Sequence, residues 1–191
     1  MATRMFDSLK PSFGGPHVVL LGAGASRAAC TNGDEHGRKL PLMSDLVNIV
    51  GLRSILKKHS IVGDTTDFEA LYSFLSASGE YDELLNEVEE IVFKYFAQLK
   101  LPENPTLYDH MLLCMRKKDR VATFNWDPLL PQALHRIAKR FGAEILPEIW
   151  YLHGNVVIGY CGNHEIPTEH SGVTLVVDVV PSCPIANCSS R

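Results

Sequence analysis

His17-Val-Val-Leu-Leu-Gly-Ala-Gly-Ala-Ser-Arg-Ala-Ala29 is the stretch around which the chain is organised. Val18 to Leu21 form an apolar run too short for a helix and rich in Val and Leu, which predicts a buried strand. The run breaks at Gly22-Ala23-Gly24 and passes into alanine-rich sequence that favours helix. Strand, glycine turn and helix start together make a place for phosphate. Glycine lets the backbone approach a ligand closely, and the free N–H groups at a helix start attract an anion. Ser26 adds a hydroxyl where the first helical turn should face that anion. A tight turn in an ordinary α/β protein fits the same residues.

The dinucleotide fingerprint of dehydrogenases fits poorly. Gly22-x-Gly24 asks for a third small residue at position 27, where the chain has Arg27. The acid expected about 20 residues further on would be Asp45, but it begins a helical pattern instead of ending a second strand. No Gly-Lys-Ser/Thr follows the glycines, which excludes an ATPase-type phosphate loop.

With 191 residues, a hydrophobic share of 46% and a formal net charge of −4, the chain reads as one domain over 1–191. Its lysines and arginines fall in short clusters, so no nucleic-acid surface is expected. No apolar run approaches the roughly 20 residues that span a membrane. Met1 to Lys10 lacks the apolar core of a secretory signal, and the five cysteines are irregularly spaced. A cytoplasmic protein with free thiols is the expectation. Cys30 and Cys114 read as small buried hydrophobes.

Along the chain, Thr31 to Lys39 reads as a mobile loop over the mouth of the site. A helix follows, capped by Ser44, with Leu46, Ile49, Val50, Ile55 and Leu56 apolar and Gly51 its weak point. Asp67 to Ser76 predicts a second helix, with Phe68, Leu71, Phe74 and Leu75 on one side. Tyr81 to about Leu99 predicts a longer one, with apolar residues recurring at i, i+3, i+4 and i+7. Leu107 to Met115 makes a fourth. Residues 42–117 are therefore a helical block inserted after the first strand. The next strand is Arg120 to Phe124. A helix opening at Asp127-Pro128 comes after it, with Leu134, Ile137 and Phe141 inward and Gly142 as its stop. Ile149 to Leu152 is a third strand, and Val156 to Tyr160 and Val173 to Val180 are further candidates.

Three polar motifs each follow at once on a short apolar strand: Gly22 to Ser26, Asn125 to Asp127, and His153-Gly154. In an open parallel sheet ligands bind outside the carboxyl ends of the strands, so the three should converge on one crevice. Asp127 before Pro128 is also a natural helix N-cap. Asn125 has no such local duty, and its amide is expected to point freely into the crevice. His153 before glycine also fits a turn histidine, and Trp126 serves equally as packing or as a stacking platform.

In order, these motifs resemble the signature of the sirtuin superfamily, over about residues 17 to 155. The string Thr123 to Leu130 followed by Leu152-His-Gly154 is closer to the stand-alone NAD-cleaving branch of prokaryotic antiviral defence than to the protein deacylases. Leu40-Pro-Leu-Met-Ser-Asp-Leu46 also resembles the start of that branch's first helix after the glycine loop.

The resemblance implies a Rossmann-like, doubly wound α/β fold with NAD as substrate. Gly22, Ala23, Gly24 and Ser26 would hold the pyrophosphate and adjoining ribose. Asn125 would orient the nicotinamide ribose and the attacking water, with Asp127 near the nicotinamide. His153 would be the base, and imidazole suits proton transfer near neutral pH. The function implied is hydrolysis of NAD to nicotinamide and ADP-ribose. A module that binds NAD or ADP-ribose without cleaving it is the second reading, and an NAD-dependent deacylase the third.

The deacylases' pair of Cys-x-x-Cys motifs is missing, so no zinc is expected. Cys161, His164, Cys183 and Cys188 are the alternative ligands, at irregular spacing. The family continues past its His-Gly motif with strands that contact the adenosine end, and only 38 residues follow His153 (191 − 153). The reading leaves open a site truncated after that motif, and a homo-oligomer or a partner domain.

Overall fold

The computed structural model describes residues 14–61 and 66–158. Its three strands, β1 (Val18–Leu21), β2 (Arg120–Thr123) and β3 (Glu148–Tyr151), lie in the order β1-β2-β3 and are all parallel. Leu20, Ala122 and Trp150 are in register, as are Leu21, Thr123 and Tyr151. The three carboxyl ends therefore finish side by side. The architecture is α/β with a parallel sheet. Strand order runs one way through the described residues, without the reversal that defines a doubly wound sheet.

One face of the sheet carries Val19, Val121 and Ile149 into the core shared with the helices. On the other face, Val18 is 64% exposed, Leu20 67% and Trp150 48%, with Ala122 buried between its two neighbours. Among the described residues β1 is an edge strand, with Val18 and Leu20 exposed and Leu21 buried, where its composition suggests burial throughout. Val and Leu on both faces look the same in sequence, whatever covers them.

The helical block is present. Between β1 and β2 lie α1 (Ala23–Ala29), α2 (Leu46–Val50), α3 (Arg53–Lys58), α4 (Phe68–Ser78), α5 (Asp82–Ala97) and α6 (Leu107–Cys114); α7 (Leu129–Phe141) follows β2. α5 buries Leu84, Val88, Val92 and Phe96, one residue per turn, against the core. Asp82 and Glu83 occupy its first turn and Lys94 its last, in line with the helix dipole. α4 starts where Asp67 accepts the Ala70 N–H at 3.1 Å, and ends at Gly79 in the left-handed conformation.

The helix expected from Ser44 is two short ones, because Gly51 takes φ +84° and ends the first; its cap position is Asp45, not Ser44. Phe74 and Phe141, expected inward, are about half exposed (53% and 47%). Cys30 is buried, but Cys114 is exposed. Residues 156–158 form a turn and not a strand. Val173–Val180 and Cys161, His164, Cys183 and Cys188 lie outside the described residues.

α6 and α7 are joined by a charged clamp. Arg136 donates to Asp109 through Nε (2.9 Å) and Nη2 (2.5 Å), while Asp109 turns back to accept from the Thr106 N–H and hydroxyl. No helix of the described residues is long and apolar enough to cross a membrane.

Candidate functional site

At the carboxyl edge of the sheet lies a cavity of about 400 Å³. Gly22, Ala23 and Ser26 line it from beyond β1, Asn125, Trp126 and Asp127 from beyond β2, and His153 from beyond β3. Leu40 to Met43 form another wall. The expected site residues therefore meet at one cavity, Gly24 excepted: it is exposed on α1 and is not a lining residue.

Neither glycine is required by the chain's own conformation. Gly22 has φ −118° and ψ −178°, extended backbone open to any residue, and Gly24 is helical. A Cβ built at either position meets nothing within 4 Å. What glycine leaves at position 22 is empty space over the cavity wall.

Beneath the cavity four side chains form a closed hydrogen-bond network. Ser26 Oγ donates to Asp127 Oδ2 at 2.7 Å. With that proton committed, the 2.7 Å contact between Ser26 Oγ and Tyr108 Oη has the tyrosine as donor. Asn125 Nδ2 supplies the remaining protons, to Ser26 Oγ at 2.9 Å and Tyr108 Oη at 3.3 Å. All four residues are buried. Ser26, expected to face an anion, is instead the hub of this network.

Asn125 likewise has a local duty, where its position on the strand end predicts none. Both Nδ2 protons are engaged, which fixes the amide plane. Among the described residues nothing donates to its Oδ1, and that atom is not an occluded one. Oδ1 is what Asn125 offers a ligand.

Asp127 Oδ1 accepts the Leu129 N–H at 3.1 Å, so it does serve the start of α7, one residue ahead of the formal cap at Pro128. Burial pushes its carboxyl above the ordinary range, while the bonds from Ser26 and Leu129 pull the other way. Tyr108 is raised chiefly by burial and then by the nearby Asp127 charge. Cys30 is pushed up to about 11 by burial first, then by Asp127 and Asp34.

Asn155 ties the second and third motifs together. Its Nδ2 donates to the carbonyls of Asn125 (3.1 Å) and Asp127 (2.7 Å), and the Val156 N–H reaches the Trp126 carbonyl at 3.0 Å. The turn that carries His153 is thereby fastened to the turn that carries Asn125. The His153 side chain is exposed, its ring 5.2 Å from that of Phe124, and no hydrogen bond from a described residue reaches it.

Arg27 and Asp45, the two residues that spoil the dehydrogenase fingerprint, hold each other. Arg27 Nη2 lies 2.5 Å from Asp45 Oδ2, Arg27 Nε donates to the Leu40 carbonyl, and Asp45 Oδ1 accepts from the Leu42 N–H. Together they pin Leu40 to Met43 against the cavity. The preceding loop, expected over the mouth, is fastened elsewhere. Buried Asp34 accepts from the backbone N–H groups of His36, Arg38 and Lys100, beyond the end of α5.

Sequence reasoning missed Tyr108 and Asn155. Tyr108 sits inside an amphipathic pattern, where nothing separates it from a packing residue. Asn155 stands two residues past His153 and could have been included as part of the same strand end. Among the described residues no group of three or more His, Cys, Asp or Glu could hold a metal. The sequence matches no family model and no curated protein.

Proposed function

We propose that the chain is a sirtuin-like NAD glycohydrolase with a Rossmann-like core. The observation that carries this reading is the convergence of three strand-end motifs, 101 and 30 residues apart in their cross-links, on one cavity. Its volume of about 400 Å³ lies within the usual range for small-molecule sites. Gly22, with no steric reason of its own to be glycine, leaves the close approach that a pyrophosphate needs. The family resemblance supplies the substrate.

In this reading the bond between nicotinamide and C1′ of the ribose breaks, and its electron pair leaves with nicotinamide. A water oxygen bonds to C1′ as positive charge develops there. Asn125 Oδ1 accepts from the water or a ribose hydroxyl and sets its direction. His153 takes the proton released. Ser26 and Tyr108 fix the Asn125 amide, and Asp127 in turn holds Ser26.

The second reading is a module that binds NAD or ADP-ribose intact. The saturation of Ser26 Oγ within the network favours it, because that hydroxyl has no proton left for a phosphate. Incubating the purified chain with NAD and separating the products by chromatography tests both. Equal amounts of nicotinamide and ADP-ribose are expected. A raised melting temperature with NAD and no products would select the binding module. Neither effect would end both readings.

A further inference from the structure

A second cavity, of about 770 Å³, shares one wall with the first: Glu69, Phe96, Trp126 and His153 line both. It runs between α4 and α5, and aromatic side chains line it: Tyr72, Phe93 and Trp126, with the edge of buried Phe68. The Trp126 ring stands edge-on to Phe68 (5.9 Å, 76°) and to Phe96 (6.0 Å, 80°), which holds it in place.

The formal charges in this groove have one sign. Among the described residues Glu69 and Glu89 line it, and no lysine or arginine does. Glu69 stands in the first turn of α4, where the helix dipole favours an acid. Glu89 lies in the middle of α5 and has no such reason. Acids beside it on α5 do have basic side chains near them: Glu90 is 2.6 Å from Lys94, and Glu87 is 3.9 Å from the His59 ring. Glu89 instead accepts the Tyr72 hydroxyl at 2.6 Å on Oε1, which orients the carboxylate, and no described residue donates to Oε2.

A negative charge held on an aromatic wall suits a positive charge with an apolar body. Aromatic faces attract cations, and more so when the cation sheds water easily. A bare metal ion would need more ligands than the described residues supply here. We propose that this groove binds a small organic cation, an ammonium substituted with alkyl groups, its charge beside Glu89 and its body against Trp126 and Phe93. This goes beyond NAD cleavage and does not depend on it.

The chain has two tryptophans, so Trp150→Phe leaves Trp126 as the sole indole reporter. Trp150 is 48% exposed and is not among the lining residues of either cavity. In that background, choline and its uncharged isostere 3,3-dimethylbutan-1-ol are titrated while Trp126 fluorescence is followed. Choline is expected to saturate the signal, with the isostere about fivefold weaker or more. Glu89→Gln should weaken choline about threefold or more and leave the isostere unchanged. Glu83→Gln, on the same helix outside the groove, should change neither.

No saturation by choline, equal affinity for the isostere, or an unchanged choline affinity in Glu89→Gln would overturn the proposal. Tighter binding of a lysine-rich peptide than of choline would overturn the small-molecule assignment. Choline binding by a chain that leaves NAD intact would uphold this inference while ending the hydrolase reading.

Discussion

Ser26 Oγ and Asp127 Oδ2 lie 2.7 Å apart, both buried, across 101 residues of sequence. Removing the serine hydroxyl leaves a carboxylate oxygen buried without its donor, leaves Tyr108 without an acceptor and leaves Asn125 only the longer bond to Tyr108. Ser26→Ala is therefore expected to cost about 1–3 kcal/mol in denaturant unfolding. In a double-mutant cycle with Asp127→Asn the two losses should fall short of additivity by at least about 0.5 kcal/mol. Additive losses would mean that the hydrogen bond contributes nothing to stability.

His153 is the residue that separates chemistry from folding. Its side chain is exposed and has no hydrogen bond from a described residue. His153→Ala should leave stability within about 0.5 kcal/mol of the parent and remove nicotinamide release. Asn125 is unsuited to this test, because its amide is bonded within the buried network. Truncating its amide takes a donor from each of two buried hydroxyls, so Asn125→Ala should also lose about 1–3 kcal/mol. Nicotinamide release at the parent rate in His153→Ala would remove it as the base.

Gly22→Val probes the space over the cavity wall. The extended backbone at position 22 suits valine, and a Cβ there meets nothing within 4 Å. The fold should lose less than about 1 kcal/mol, the range of a helix-cap change. The branched side chain would occupy the room a pyrophosphate needs, so thermal stabilisation by NAD should disappear. Full stabilisation in a folded Gly22→Val chain would exclude this approach for the ligand.

Asp109 gives the fold a defined acid limit. Burial alone would raise its carboxyl, but the Arg136 guanidinium and Thr106 together hold it below the ordinary carboxylate value. A depressed folded-state pKa means that this stability is fully present above the unfolded value of about 3.9 and is lost as pH falls through the folded one. Asp109→Asn should thus destabilise the chain at neutral pH. The gap from the parent should narrow below about pH 4. A gap that stays constant with pH, measured by urea unfolding, would show that the pair is not what titrates.

Much of the helical block was legible because periodicity writes burial directly. Leu84, Val88, Val92 and Phe96 could only be one face of one helix, and they are. The convergence of three motifs followed from a general property of parallel sheets. What the sequence concealed lay in pairings between distant residues. Nothing near Ser26 announces Tyr108, and a buried network cannot be told from a ligand-facing one by residue type. The exposure of Val18 and Leu20 among the described residues escaped for a related reason. Val18 and Leu20 are apolar whether or not anything covers them, and packing, not composition, sets their exposure.

The strand order has a kinetic consequence. β2, α7 and β3 are consecutive, and the Asn155 bonds that fasten the two turns close only 30 residues. Bringing β1 alongside, and with it Ser26 to Asp127, closes 101. By chain statistics the longer closure costs about 1 kcal/mol more entropy, before the ordering of the helical block is counted. Folding should then begin in the 120–158 segment, with β1 and α1 docking late. Mutations at Asn155 should slow refolding, whereas those at Ser26 should chiefly speed unfolding. The cavity would be the last part of the molecule to form and the first to open.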